Sequence, residues 1–169
     1  SGSKSGSNGR HPLPDRAKLV DTLAAHGLNE GQQVVAYDAQ GGAFAARLWW
    51  LLRWLGHDSV ALLDGGLPAW QAAGLPLTND APPASRGTFK AGAPLQSTVD
   101  AQALLRNLTQ REQLVIDARS PDRYRGENET IDPVGGHIPG ALNRFFKDNL
   151  GADGRFKSAH ALREDFAAL

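Results

Sequence analysis

The chain contains no cysteine in its 169 residues. That excludes disulfides, thiolate metal sites and a cysteine nucleophile from this stretch. Methionine is absent too, even at position 1. The apolar run 43–55 is too short to cross a bilayer and carries Arg47 and Arg53. Neither charge sign is in excess, since 18 basic residues balance 18 acidic ones. No global field therefore recruits nucleic acid or an anionic membrane, and neither partner is expected. The start is polar and Gly/Ser-rich, with no secretory signal, so a cytoplasmic location is expected. What remains is ordinary globular material, 41% hydrophobic and 21% charged.

The pattern of elements is α/β. Residues 1–10 have linker composition. Asp15 caps a helix with Leu19, Val20, Leu23 and Ala24 on one face, and Gly27 ends it. Residues 33–37 form a strand, and 38–42 a loop that runs straight into a helix. Phe44, Leu48, Leu51, Leu52 and Leu55 give that helix its apolar face. Residues 59–63 are the next strand, closing a parallel βαβ unit. Residues 68–73 form a short helix in which Trp70 plugs the core.

Residues 75–97 hold four of the prolines and read as a connection between two α/β patterns. Ser97 or Thr98 caps the following helix, with Val99, Leu104 and Leu105 apolar. Residues 114–116 read as a short buried strand ending in Asp117, 141–146 as another strand, and Ser158 as the cap of a last helix. The triplets Asn107-Leu-Thr109 and Asn128-Glu-Thr130 match a glycosylation pattern and are discounted without a secretory signal. His11 and His26 read as surface or capping residues.

The chemistry concentrates after the 114–116 strand. Ser120-Pro121 opens a helical turn that carries Arg119, Arg123 and Arg125 past the strand's carboxyl end. In open α/β sheets ligands settle in the crevice there. Three guanidiniums offer donors and no acceptors, so the ligand class is anionic. Asp117 orients Arg119 or the nucleophile loop, or forms a turn, and Arg125 reads as solvated.

The stretch from Leu114-Val-Ile-Asp-Ala-Arg through Arg123-Tyr-Arg-Gly to Gly136-His-Ile-Pro-Gly-Ala141 resembles the rhodanese family of sulfurtransferases. More narrowly, it resembles the tandem-domain thiosulfate and 3-mercaptopyruvate enzymes. Val34-Val-Ala-Tyr-Asp38 and Leu62-Leu-Asp-Gly-Gly-Leu-Pro-Ala-Trp70 extend the likeness upstream. The resemblance implies a rhodanese-like α/β fold, a parallel sheet flanked by helices, in two incomplete domains. Residues 1–74 would be the C-terminal half of a first, non-catalytic domain and 75–97 an interdomain linker. Residues 98–169 would be the N-terminal half of the catalytic domain.

It also implies the activity. Sulfane sulfur would pass from a small anionic donor, thiosulfate or 3-mercaptopyruvate, to cyanide or a thiol through a cysteine persulfide, without a metal or other cofactor. Asp38 occupies the place of the nucleophile in the first domain's loop; a carboxylate cannot carry sulfane sulfur but can satisfy the loop amides, so this loop reads as structural. Arg123 matches the family's substrate arginine, with Asp117 and Arg119 in support. His137 reads as a structural turn histidine. Where mercaptopyruvate-preferring members carry a second arginine this chain has Asp132, with Glu129 close by, which favours a thiosulfate-type donor. The chain is expected to be a fragment, inactive alone and prone to association through uncovered faces. A non-catalytic rhodanese-like binding module is the competing reading. A Rossmann-like nucleotide binder lacks the required glycine spacing.

Overall fold

The computed structural model describes residues 11–82, 85–130, 132 and 134–169. The first unit opens with α1 (Arg16–Ala25), β1 (Val34–Ala36) and α2 (Ala43–Trp54), followed by β2 (Val60–Leu62) and α3 (Gly66–Ala72). Asp15 caps α1 by accepting the Lys18 amide at 2.9 Å. β1 and β2 pair in parallel, Val34 beside Val60 and Ala36 beside Leu62, with α2 as the crossover. Leu52 and Leu55 are fully buried against Ala24, Val60 and Phe89, and this cluster is the core of the first unit.

Phe89 comes from the proline-rich stretch, which holds no helix or strand in its described residues 75–82 and 85–97. Its backbone is tied down along the way. Gly87 donates to Ala24 at 2.7 Å, Phe89 to Leu28 at 3.1 Å and Gly92 to Leu55 at 2.8 Å. A polar, Pro-punctuated segment thus lies along α1 and α2. Trp70 is half-buried rather than a core plug, because its Nε1 donates to the Pro76 carbonyl at 2.9 Å and pins this segment's start.

The second unit holds α4 (Ala101–Gln110), β3 (Ile116–Asp117), the single turn α5 (Pro121–Tyr124) and β4 (Leu142–Asn143). A 3₁₀ turn, Phe146–Asn149, and α6 (Ala159–Ala167) complete it. Asp100, not Ser97 or Thr98, caps α4, accepting the Ala103 amide at 2.7 Å. Val99 therefore lies outside the helix and is exposed. Ser158 caps α6, as the sequence predicts. β3 and β4 pair in parallel over two residues only, Ile116 with Leu142 and Asp117 with Asn143. The expected 141–146 strand is regular only over Leu142–Asn143 and runs on into the 3₁₀ turn, the Phe146 amide still donating to the Ala118 carbonyl at 3.0 Å. The 114–116 segment is not buried. Leu114 is 66% and Ile116 38% exposed, since no described element covers that face.

The two units touch through the loops at the sheet ends. Phe156 donates its amide to Asp64 Oδ1 at 2.8 Å, and Leu150 borders the same small recess as Asp38, Gly41 and Gly66. No helix among the described residues is long and apolar enough to cross a membrane.

Candidate anion site at the end of the third strand

Two strand-to-helix loops bear the residues singled out from the sequence, and they differ in what they do with their acid. In the first, Asp38 follows β1 and turns its carboxylate back into its own loop. Oδ1 accepts the amides of Gln40 at 2.8 Å and Gly42 at 2.9 Å. Oδ2 accepts those of Phe44 and Ala45, both at 2.9 Å. Gly42, at φ 87°, makes the left-handed turn that lets α2 begin there. Burial pushes the Asp38 carboxyl up, but the amides outweigh it and hold it below the usual carboxylate range. The loop is thus a cradle of converging N–H groups already filled by its own carboxylate.

In the second, Asp117 closes β3 and grips Arg119. Oδ1 accepts the Arg119 amide at 2.9 Å and Nε at 3.0 Å, while Oδ2 accepts Nη2 at 2.5 Å. The same Nη2 donates to the Gly136 carbonyl at 2.5 Å. The Arg119 hydrogen bonds hold the Asp117 carboxyl below its ordinary range against the opposing effect of burial. Behind them Asn143 on β4 donates to the carbonyls of Asp117 and Arg119 at 3.0 and 2.9 Å, locking the loop to the sheet. The guanidinium bonds match the reading of Asp117 as orienting Arg119, and the Oδ1 bond to the amide two residues on is also that of a turn former.

Arg123 projects from α5, whose start is set by Ser120 and by Pro121 at the first helical position. Its Nε and Nη2 donate to Glu129 Oε2 at 3.0 and 2.9 Å, and Nη2 also to Asp132 Oδ2 at 3.0 Å. The guanidinium does not pair with Asp122 or Glu127, its nearest acids in sequence. Glu127 pairs with the half-exposed Arg125 at 2.8 Å. Glu129 Oε2 also lies 3.8 Å from Arg119 Nη1, so one carboxylate oxygen sits between two guanidiniums. The order Asp117, Arg119, Glu129, Arg123, Asp132 alternates in charge.

A cavity of about 630 Å³ opens beside this chain of charges. Asp117, Arg119 and Asp132 border it, with Gly136, His137 and Ile138 on the far side. Arg123 stands one residue back, reaching the cavity edge through Asp132. His137 stacks on Tyr124 with ring centres 3.7 Å apart, and its Nδ1 lies 2.7 Å from the Tyr124 carbonyl. Both contacts hold the 136–141 turn against α5. The structure brings Asp117, Arg119 and Arg123 together, and leaves Asp38 in the other sheet's loop. What the sequence did not reveal is Glu129 as the hub between the arginines. The only signal was its acidity, in a loop where Gly126 and Asn128 at positive φ erase any period. No group of three or more metal-ligating side chains occurs among the described residues.

The comparisons with known proteins are decisive about lineage. The Rhodanese-like domain family matches residues 4–73. A Pseudomonas aeruginosa protein described as "Probable 3-mercaptopyruvate sulfurtransferase" is 52% identical over 167 residues, 98% of this chain and 59% of that protein. The thiosulfate sulfurtransferase of Bos taurus is 34% identical, covering 92% of this chain and 54% of its own length. The crystal structure of SseA from Escherichia coli, described as having the "Rhodanese" fold, superposes with a TM-score of 0.80 at 30% identity. It covers 92% of this chain and 58% of that one. The chain belongs to the rhodanese family. Its relatives are thiosulfate and 3-mercaptopyruvate sulfurtransferases, and it spans a little over half the length of each.

Proposed function

We propose that this rhodanese chain supplies the anion-binding side of a sulfurtransferase site whose cysteine lies outside these 169 residues. The observation that carries the proposal is the pair of guanidiniums, Arg119 and Arg123, converging on Glu129 at the carboxyl end of β3. Arg123 is the one assigned to the donor's oxyanion, because it matches the family's substrate arginine and its Nη2 partner, Asp132, borders the cavity. A guanidinium offers two parallel N–H bonds to a sulfonate-like or carboxylate group.

The chemistry is the one the resemblance to the sulfurtransferases implies. A cysteine thiolate attacks the outer sulfur of thiosulfate; the S–S bond breaks and sulfite leaves with the electron pair. Cyanide or a thiolate then attacks the outer sulfur of the persulfide, and the cysteine thiolate is released. Both the donor and sulfite are dianions, so a fixed cation beside them lowers the cost of desolvating them. Arg123 binds and orients; no atom of this chain carries the sulfur.

Asp132 in place of a second arginine supports thiosulfate as the donor, although relatives of both donor names match this chain. The test is a thiosulfate–cyanide assay on the natural protein that carries these residues, beside its Arg123→Ala variant. Thiocyanate production with KM raised severalfold in R123A is expected. Unchanged KM removes Arg123 from the site. The absence of cysteine favours one other reading, a non-catalytic module that keeps the anion site for binding. Thiosulfate binding with no thiocyanate produced would select it.

A further inference from the structure

We propose that the crevice at the carboxyl ends of β1 and β2 is a docking socket whose occupant is a hairpin of the second unit, residues 149–157. In an open α/β sheet that crevice is where a ligand settles. Here the Asp38 carboxylate already takes up four amides of the first loop, so they call for no further anion. What enters the crevice is polypeptide. Leu150 and Phe156 face each other as an antiparallel bridge, and the Lys157 amide closes the hairpin's base on the Asn149 carbonyl at 2.9 Å. Nearer the tip, the Gly151 amide donates to the Arg155 carbonyl at 2.8 Å.

Both surfaces are shaped for the contact. Two glycines of the socket, Gly41 after β1 and Gly65 after β2, leave the space that two hairpin side chains use. A methyl carbon built on Gly41 would come within 3.2 Å of Leu150 Cδ1, and one built on Gly65 within 3.1 Å of Arg155 Cγ. Asp64 adds a polar tie, its Oδ1 accepting the Phe156 amide at 2.8 Å. The space left among Asp38, Leu62, Gly66, Leu150 and Phe156 is about 10 Å³, at the lower limit for a single water. The socket is therefore filled. Its occupant is also tied inward, to the sheet of the second unit. Asn149 Oδ1 accepts Arg144 Nε at 3.0 Å, and the Arg144 amide donates to the Asp117 carbonyl at 3.0 Å. A first unit without a cysteine thus uses its ligand crevice to hold the second unit in place.

The experiment is limited trypsin digestion of the 169-residue chain, read by mass spectrometry, because docking shields one scissile bond in particular. In the Arg155–Phe156 peptide the carbonyl accepts from Gly151 and the amide donates to Asp64, although the Arg155 side chain is 53% exposed. Cleavage after Arg111, the exposed cap of α4, is the reference within the same unit. Asp64→Ala loosens the contact from the socket and Leu150→Ala from the hairpin. In both variants the rate of cutting after Arg155 relative to Arg111 should rise about fivefold or more, since cleavage follows the population of the opened hairpin. A rise in D64A alone would mean that Asp64 only steadies its own turn, and one in L150A alone that the hairpin holds itself together; either overturns the socket. So does an unchanged ratio, whether neither cut accelerates or both do so in step, because the hairpin then opens only with the rest of the fold. Should D64A fail to fold, L150A, which leaves the first unit's sequence intact, decides alone.

Discussion

The main-chain carbonyl of Asp38 lies where a side chain on Gly66 would have to go. Gly66 adopts φ 57°, and a methyl carbon built on it would collide with that oxygen, while the next amide, Leu67, donates to it at 2.9 Å. The end of β1 and the start of α3 are thus joined backbone to backbone, with no room for a Cβ. Gly66→Ala should cost about 3 kcal/mol, from left-handed strain plus the clash. Gly42 supplies the control, at φ 87° with nothing within 4 Å of its added carbon. Gly42→Ala should cost about 1 kcal/mol, for conformation alone. Denaturant unfolding of both variants measures the difference; equal losses would mean that the close approach contributes nothing.

The Asp38 carboxylate is the second point at which the first loop depends on one residue. Four amides converge on it, two of these bonds exposed and two partly buried, so water can replace some of the lost bonds. Asp38→Ala should therefore cost about 2 kcal/mol, less than four fully buried orphans would. Asp38→Asn keeps one acceptor oxygen for the Gln40 and Gly42 amides and turns an NH₂ group toward Phe44 and Ala45. It should fall between the parent chain and D38A in thermal unfolding. A variant D38N as stable as the parent would show that the negative charge is not what the cradle holds.

Acid should undo the structure in a defined window. Arg119 holds Asp117 below the usual carboxylate range, the loop amides do the same for Asp38 against burial, and Arg144 with Lys157 does so for Asp165. A carboxylate whose pKa is depressed by folding contributes its stability above the unfolded value, near pH 4. That contribution disappears as pH falls through the folded value. The melting temperature should be level between about pH 7 and 5 and drop below about pH 4. Asp117→Asn should be less stable at neutral pH by about 2 kcal/mol, the range for hydrogen bonds to a charged group, and should show a shallower acid slope. An acid slope identical in D117N would detach the Asp117–Arg119 pair from the transition.

The same charged residues show how far the sequence could be read. The βαβ unit was legible because Val34–Ala36 and Val60–Leu62 are β-branched or apolar runs, and the residues of α2 repeat at helical spacing. Asp38 as a loop-filling acid was legible because only its chemistry was at issue. The α4 cap was not, since Ser97, Thr98 and Asp100 all qualify within four residues. Long-range geometry breaks that tie: the Leu95 amide still donates to Arg53 of α2, so the chain leaves the first unit too late for the earlier caps. The exposure of Leu114 and Ile116 escaped as well, because an apolar run announces burial without saying what buries it. Glu129 escaped because its six-residue separation from Arg123 runs through a loop, and no periodicity links positions there.

Tyr124 offers the sharpest separation of packing from hydrogen bonding near the site. Its hydroxyl donates to the carbonyl of the buried Ala141 at 2.7 Å, while its ring carries the His137 imidazole. Through these contacts the 136–141 turn is fastened to α5, one residue beyond Arg123. Tyr124→Phe keeps the stack and leaves the Ala141 carbonyl without that donor, and should cost about 1 kcal/mol. Tyr124→Leu also removes the ring and should cost a further 1 kcal/mol or so, the usual worth of an aromatic pair. Because α5 sets where the Arg123 guanidinium lies, Y124L should weaken thiosulfate binding as well as stability, whereas Y124F should change stability alone. Paired denaturation and titration of the two variants decide the matter. If Y124L loses stability yet binds thiosulfate as the parent does, the aromatic stack supports the turn and not the arginine.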